Sequence, residues 1–102
     1  MQVKYEFENG TLKLYLIGEL DEHYAKGVKE YIDGLVDGKS GIRKIVFNLS
    51  ELTFMDSTGI GMLLGRYKRL KKMNLPSFIE NPVYNVEKVL ELSGIYEVMP
   101  KM

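Results

Sequence analysis

The chain has 102 residues, enough for one hydrophobic core and too few for two, so we expect one domain over residues 1–102. It has no cysteine, which excludes disulfides and thiolate metal sites, and its 14 basic residues balance 14 acidic ones, which argues against nucleic-acid binding. No apolar stretch approaches the ~20 residues of a membrane span and the N-terminus lacks a signal-peptide pattern, which favours a cytoplasmic protein without membrane contact.

Two strands are predicted at the start of the chain, over residues 3–8 and 11–17. In both stretches apolar and polar residues alternate, as on a half-buried strand. The dipeptide Asn9-Gly10 between them is a strong signal for a two-residue hairpin turn. We therefore expect an antiparallel hairpin, which Gly18 ends by interrupting the alternation.

A helix and a buried strand are predicted next. Apolar residues at helical spacing predict a helix over residues 22–37, with Asp21 as its N-cap. The expected apolar stripe of this helix is Tyr24, Val28, Ile32 and Leu35. Residues 45–49 form a mostly apolar run, which indicates a central strand covered on both faces, and a short loop is expected to follow it.

The second half of the chain predicts two more helices and two strands. A second amphipathic helix is expected over residues 57–72, a short strand over residues 77–80, and a third helix opened by Asn81-Pro82 and closed by Gly94. Residues 95–99 are expected to add a last strand. Strands alternating with helices after a hairpin predict an α/β fold, a mixed sheet packed with about three helices. The expected core stripe of the second helix is Ile60, Leu63, Leu64, Tyr67 and Leu70.

The start of the second helix is the candidate functional site. Asp56 and Ser57 lie in its first turn, where backbone N–H groups are free and the helix dipole favours negative charge. A hydroxyl in this position is suited to carrying a phosphate. An N-cap role alone also explains Asp56 or Ser57. Thr58 is a secondary candidate acceptor, although lining the first turn is its more ordinary role.

Glycines and basic residues mark one side of this helix as a contact surface. Gly59, Gly61 and Gly65 are costly in a helix, and the last two share a face that permits close approach. Glycines on this face would allow close packing either of a neighbouring helix of the same domain or of a partner protein. We expect Met62, Arg66 and Arg69 to lie away from the core stripe and to contact a partner.

The segment Leu52–Leu70, with its centre Met-Asp-Ser-Thr-Gly-Ile-Gly, resembles the phosphorylation segment of bacterial anti-sigma factor antagonists of the STAS-domain family. Leu-Gly-Arg-Tyr-Lys at residues 64–68 is most similar to the sporulation branch of that family. Gly-Glu-Leu-Asp at 18–21, Asn81-Pro82 and Leu-Ser-Gly at 92–94 agree in order and spacing. Two features depart from the family pattern: Leu75-Pro76 replaces a usual glycine before a strand, and members usually continue into a further helix.

The resemblance implies a non-enzymatic switch in transcription regulation. The unmodified protein binds an anti-sigma factor, which is also a serine kinase, and so releases the sigma factor. Phosphorylation of Ser57 ends the complex, and a serine phosphatase restores the unmodified form. We expect a monomer, with a dimer as the open alternative, and no cofactor or metal. The expected partner contacts are Asp21, Asp56, Thr58, Gly59, Gly61, Met62, Gly65, Arg66 and Arg69.

Three other classes of function remain as alternatives. A receiver-like domain would use Asp56 as a phosphoaspartate and hold Mg²⁺ between Glu19, Asp21 and Asp56. A small serine hydrolase would need His23, the only histidine, beside Ser57, but the segment lacks a G-x-S-x-G elbow. Nucleotide binding is disfavoured, because no lysine follows the glycines as in a P-loop.

Overall fold

The opening hairpin is confirmed by the computed structural model, which describes all 102 residues. Its two strands pair antiparallel from Gln2↔Ile17 to Glu8↔Thr11. Asn9 and Gly10 form the turn with φ of 51° and 82°, the left-handed values that a two-residue hairpin loop requires. The elements in chain order are β1 (Gln2–Glu8), β2 (Thr11–Leu20), α1 (Ala25–Gly38), β3 (Lys44–Asn48), β4 (Leu52–Met55), α2 (Ser57–Lys72), β5 (Ser77–Glu80), α3 (Tyr84–Ser93) and a 3-10 turn (Ile95–Glu97).

The sheet is mixed and has five strands. Its order is β1-β2-β3-β5, and β4 pairs with the carboxyl end of β2. The β1–β2 pair is antiparallel, whereas β2–β3, β2–β4 and β3–β5 are parallel. The predicted fold class, a mixed sheet opened by a hairpin and packed with three helices, is therefore confirmed.

The core lies between the helices and one face of the sheet. Alternate residues of β2 and β3 enter it, because successive side chains of a strand point to opposite faces. The helices cover them with apolar side chains at helical spacing. The fully buried residues of this core include Leu12, Leu14, Leu16, Ile32, Ile45, Phe47, Leu63, Ile79 and Leu90.

The opposite face of the sheet carries a polar network. Lys13 Nζ lies 3.0 Å from Glu80 Oε2, and Asn48 Nδ2 donates to the same oxygen at 2.7 Å. Burial alone would raise the pKa of the Glu80 carboxyl, but the hydrogen bonds from Asn48 and Lys13 outweigh it and hold that pKa below its ordinary value. The network therefore ties β2, β3 and β5 together across the face.

Several predicted boundaries are wrong. Residues 52–55, expected as loop, form β4, and β2 continues past Gly18 to Leu20 through a register shift at Gly18/Glu19. Residues 95–99 do not form a strand: Gly94 has φ of 75°, and a 3-10 turn follows it. Only Lys101 joins the sheet, as a bridge to Ile79.

The helix starts also differ from the prediction. The first helix begins at Ala25, and the third begins at Tyr84 with Val83 at its N-cap. Tyr24, expected in the apolar stripe, is exposed. The strand Ser77–Glu80 forms as predicted despite Pro76, whose carbonyl accepts a hydrogen bond from Ile45 N at 3.0 Å. No helix combines the length and the hydropathy that crossing a membrane requires.

Candidate functional site

The site lies where β2 and β4 end side by side. These strands are parallel, and Leu20 pairs with Met55 at their last register position. Asp21 directly follows β2 and Asp56 directly follows β4, so the two carboxylates lie after adjacent strand ends. Ser57, one residue further, begins α2 and is exposed.

Both carboxylates are engaged by backbone N–H groups. Asp56 is the N-cap of α2, and its Oδ1 accepts from Thr58 N at 3.0 Å and from Gly59 N at 3.1 Å. Asp21 Oδ1 accepts from the N–H groups of residues 23 and 24 at 2.9 and 3.3 Å. Asp21, the predicted N-cap, therefore caps the turn before α1, and the N-cap of the helix itself is Tyr24, three residues later. Neither carboxylate hydrogen-bonds the Ser57 hydroxyl, which remains available to an incoming group.

Gly59 fixes the first turn of α2 against the sheet. A Cβ at this position would lie 2.6 Å from Met55 Cγ and 3.0 Å from the Leu20 carbonyl oxygen. Only glycine permits this approach, because the nearest backbone atom belongs to a paired strand and has no freedom to withdraw. Gly59 is buried, so it shapes the site from within rather than offering a contact surface.

Two further residues of the predicted partner contact are buried inside the chain, in addition to Gly59. Met62 is 7% exposed and Arg66 is 6% exposed, so the expectation that they lie on the free side of the helix is wrong. Met62 belongs to the hydrophobic core, and Arg66 faces α1, where its Nε lies 2.8 Å from Asp33 Oδ1. This contact is an ion pair without hydrogen-bond geometry. Burial lowers the pKa of Arg66, and the charge of Asp33 offsets part of that effect.

Arg69 extends the same contact between α1 and α2. Its Nη2 binds Asp37 at 2.8 and 2.7 Å, and the Arg69 side chain remains partly exposed. This hydrogen bond raises the pKa of Arg69. The sequence reading missed Asp33 and Asp37, although their spacing of four residues on one helix, opposite Arg66 and Arg69 on the next, is a signal for interhelical ion pairs.

The free side of α2 is a stripe of small residues near the site and basic residues further on. We define the α2 stripe as Ser57, Gly61, Gly65, Lys68 and Lys72, which recur every three or four residues. A Cβ at Gly61 or Gly65 would meet no atom of the chain within 4 Å. The alternative that these glycines admit a neighbouring helix of the same domain is therefore excluded.

The geometry bears on the other functional classes. No group of three or more histidine, aspartate or glutamate side chains is placed to hold a metal ion. The Asp56 carboxylate, which a receiver-like domain would phosphorylate, is bound to the helix backbone. His23 is exposed and lies edge-on to Tyr24 at 4.7 Å between ring centroids.

The comparisons with known proteins agree with this fold. The sequence profile of the STAS domain matches residues 2–102, and the chain therefore belongs to the STAS domain family. An anti-sigma F factor antagonist from Paenibacillus polymyxa is 33% identical over 100 residues, which cover 98% of this chain and 85% of that protein.

Two solved structures show the same similarity in three dimensions. The anti-sigma factor antagonist SpoIIAA in its unphosphorylated form matches 99% of this chain and 88% of its own, with a TM-score of 0.81 and 29% identity. The Bacillus cell fate determinant SpoIIAA in its phosphorylated form matches 99% of this chain and 91% of its own, with a TM-score of 0.72 and 28% identity. The receiver-like alternative is not favoured by these matches.

Proposed function

We propose that this protein is an anti-sigma factor antagonist controlled by phosphorylation of Ser57. In the unmodified state it binds an anti-sigma factor that is also a serine kinase, and the bound sigma factor is released. The kinase transfers the phosphoryl group of ATP to the Ser57 hydroxyl, and a serine phosphatase removes it. The observation that carries the proposal is an exposed, uncommitted hydroxyl at the first residue of α2 in a chain related to proteins of this class.

The surroundings of Ser57 direct the effect of a phosphate outward. Asp56 already occupies the N–H groups of Thr58 and Gly59, so these donors are not free to hold the new group. The added charge of about −1.5 to −2 stands beside the Asp56 carboxylate and is repelled by it. It therefore projects into solvent, where a docked partner would have to desolvate it.

The α2 stripe is the proposed docking surface, with Asp21, Asp56 and Thr58 beside its N-terminal end. Gly61 and Gly65 allow a partner backbone to approach α2 closely. Packing within the chain does not require glycine at either position, because a Cβ there would meet no atom within 4 Å. Arg69 borders this surface and offers only the part of its guanidinium not bound to Asp37. Met62 and Arg66 are left out, because both are buried.

The test combines modification and binding. The protein is incubated with an anti-sigma F factor kinase and ATP, and the modified residue is mapped by mass spectrometry. We expect phosphate on Ser57 that survives acid, as a phosphoserine does and an acyl phosphate on Asp56 does not. Thr58→Ala serves as the matched control and should be modified at the normal rate. Modification of Thr58→Ala but not of Ser57→Ala supports the proposal, and acid-labile phosphate would refute it.

Binding distinguishes the switch from a mere modification site. Ser57→Ala should stay bound to the anti-sigma factor in the presence of ATP, whereas Ser57→Asp should bind about tenfold more weakly or worse, because it places a charge in the interface. Equal affinities of the two variants, measured by calorimetry, would remove the charge mechanism.

A further inference from the structure

The outer edge of β1 is an unpaired strand edge of seven residues. The β1–β2 hairpin turns through two residues, so Glu8 and Thr11 form a hydrogen-bonded pair and the even-numbered residues of β1 bond to β2. The N–H and C=O groups of Val3, Tyr5 and Phe7 therefore point away from the sheet. A row of free backbone groups of this kind is a template for pairing with another strand.

Exposed aromatic side chains gather around the same edge. Tyr5 is 42% exposed and Phe7 is 39% exposed, although both lie on the helix-covered face of the sheet. Beside them, Tyr24 and Tyr31 of the α1 region border a groove of about 330 Å³ that reaches Val3. Four exposed aromatic side chains thus lie around one edge of the sheet, a pattern typical of an interaction surface.

We propose that this edge binds a second copy of the chain, with β1 pairing antiparallel to β1 about a two-fold axis at Tyr5. In that register Tyr5 faces Tyr5 of the second copy, and Val3 faces Phe7. All of these residues carry outward-pointing N–H and C=O groups, so each facing pair exchanges two hydrogen bonds. The two five-stranded sheets would join into one of ten strands.

Charge complementarity selects this register. On the other face of the sheet, Lys4 lies opposite Glu6 of the second copy, and the symmetry repeats the pair. A two-fold axis one residue earlier sets Lys4 against Lys4, and an axis one residue later sets Glu6 against Glu6. An axis at Phe7 sets Glu6 against Glu8. Like charges directly opposite are destabilising, so the axis at Tyr5 is the favoured one.

The edge is separate from the phosphorylation site. The even-numbered residues of β2 direct their N–H groups away from β1 and toward β3. Gly18 is one of them, and its N–H donates to Glu51 O at 3.0 Å, just before β4. β4 therefore lies on the β3 side of β2, opposite β1. Ser57 follows β4. Ser57→Asp should therefore leave dimerisation unchanged, and failure of the proposed switch would not affect this inference.

Sedimentation of charge-reversed variants tests the register. The wild-type protein is followed from about 10 μM to about 1 mM, the range in which a weak dimer dissociates. Lys4→Glu and Glu6→Lys should each raise the dimer dissociation constant by about tenfold or more, because two attractive pairs become two repulsive ones. An equimolar mixture of the two variants should dimerise again, since each chain then carries the charges that the other needs. Glu8→Lys is the control, because Glu8 faces the uncharged Gln2.

Amide exchange gives a second measurement. The N–H groups of Val3, Tyr5 and Phe7 should become protected as concentration rises. Tyr5→Pro should prevent dimerisation and leave the β1–β2 hydrogen bonds intact, because the N–H that it removes points away from β2, and Tyr5→Ala controls for loss of the side chain. A monomer at every concentration overturns the proposal and leaves the edge to a strand of another protein. A dimer that the mixture fails to restore overturns the register.

Discussion

Replacing Gly61 by alanine should strengthen the fold and weaken partner binding at the same time. Gly61 is the fifth residue of the 16-residue helix α2, beyond the first turn and exposed. Its missing Cβ would meet no atom within 4 Å, so an alanine enters without strain. Glycine in a helix interior is about 0.5–1 kcal/mol less favourable than alanine. For a domain of this size the gain corresponds to a rise in Tm of roughly 2–8 °C.

The same methyl group should obstruct an approaching partner. If the anti-sigma factor packs its backbone against the α2 stripe, overpacking by one methyl costs about 1–3 kcal/mol, or about fivefold to hundredfold in affinity. Thermal unfolding followed by circular dichroism gives the first quantity, and calorimetric titration with the anti-sigma factor gives the second.

Two further glycines supply the controls. Gly34 of α1 is also exposed with open space around its Cβ, so Gly34→Ala should raise Tm equally and leave binding unchanged. Gly59→Ala should lower stability by about 1–3 kcal/mol, because its Cβ would lie 2.6 Å from Met55 Cγ. A fall in Tm for Gly61→Ala would refute the packing argument. Equal binding by the Gly61 and Gly34 variants would refute the docking surface.

Three other substitutions probe the interactions that hold the site and the sheet. Asp56→Ala should cost about 1 kcal/mol of unfolding free energy in urea titrations, because two N–H groups of α2 lose their acceptor. Asp33→Asn should cost about 1–3 kcal/mol in the same assay, since Arg66 stays buried without its counter-charge, whereas Arg66→Met should be much milder. Because the folded-state pKa of Glu80 is depressed, its contribution is complete above its unfolded pKa of about 4.3 and is lost as pH falls through the folded pKa. Glu80→Gln should therefore lower stability at pH 7 by ~1–2 kcal/mol and flatten the loss of stability below about pH 5, as measured by urea unfolding across pH; an unchanged acid limb would contradict this.

The hairpin, the two long helices and the short strand before α3 were predictable from local pattern. Asn9-Gly10 supplies the left-handed turn by itself, and the apolar residues of α2 repeat at helical spacing. The missed strand β4 shows the limit of such reasoning. Residues 52–55 form a stretch of only four residues, with neither the apolar–polar alternation of a half-buried strand nor a continuous apolar run. Their strand conformation depends on pairing with β2, some thirty residues earlier in the chain.

The exposed residues of α2 were harder to predict than the helix itself. Helical periodicity identifies the face that packs on the sheet, but it does not show that a second helix covers another side. Met62 and Arg66 were assigned to the free side for this reason, whereas both are buried and Arg66 faces α1. The position of Ser57 at the helix start was local information, and it needed only the N-cap pattern of Asp56.

The glycine beneath the first turn of α2 determines how rigidly Ser57 is presented. With its backbone against the Leu20 carbonyl and the Met55 side chain, this turn has no room to retreat toward the sheet. If phosphorylation of Ser57 is the switch proposed above, the phosphoserine is held in the same position relative to the sheet as the unmodified serine, and any adjustment that relieves a clash must come from the partner. On that proposal, how strongly the phosphate weakens binding depends on the surface of the anti-sigma factor rather than on movement of α2.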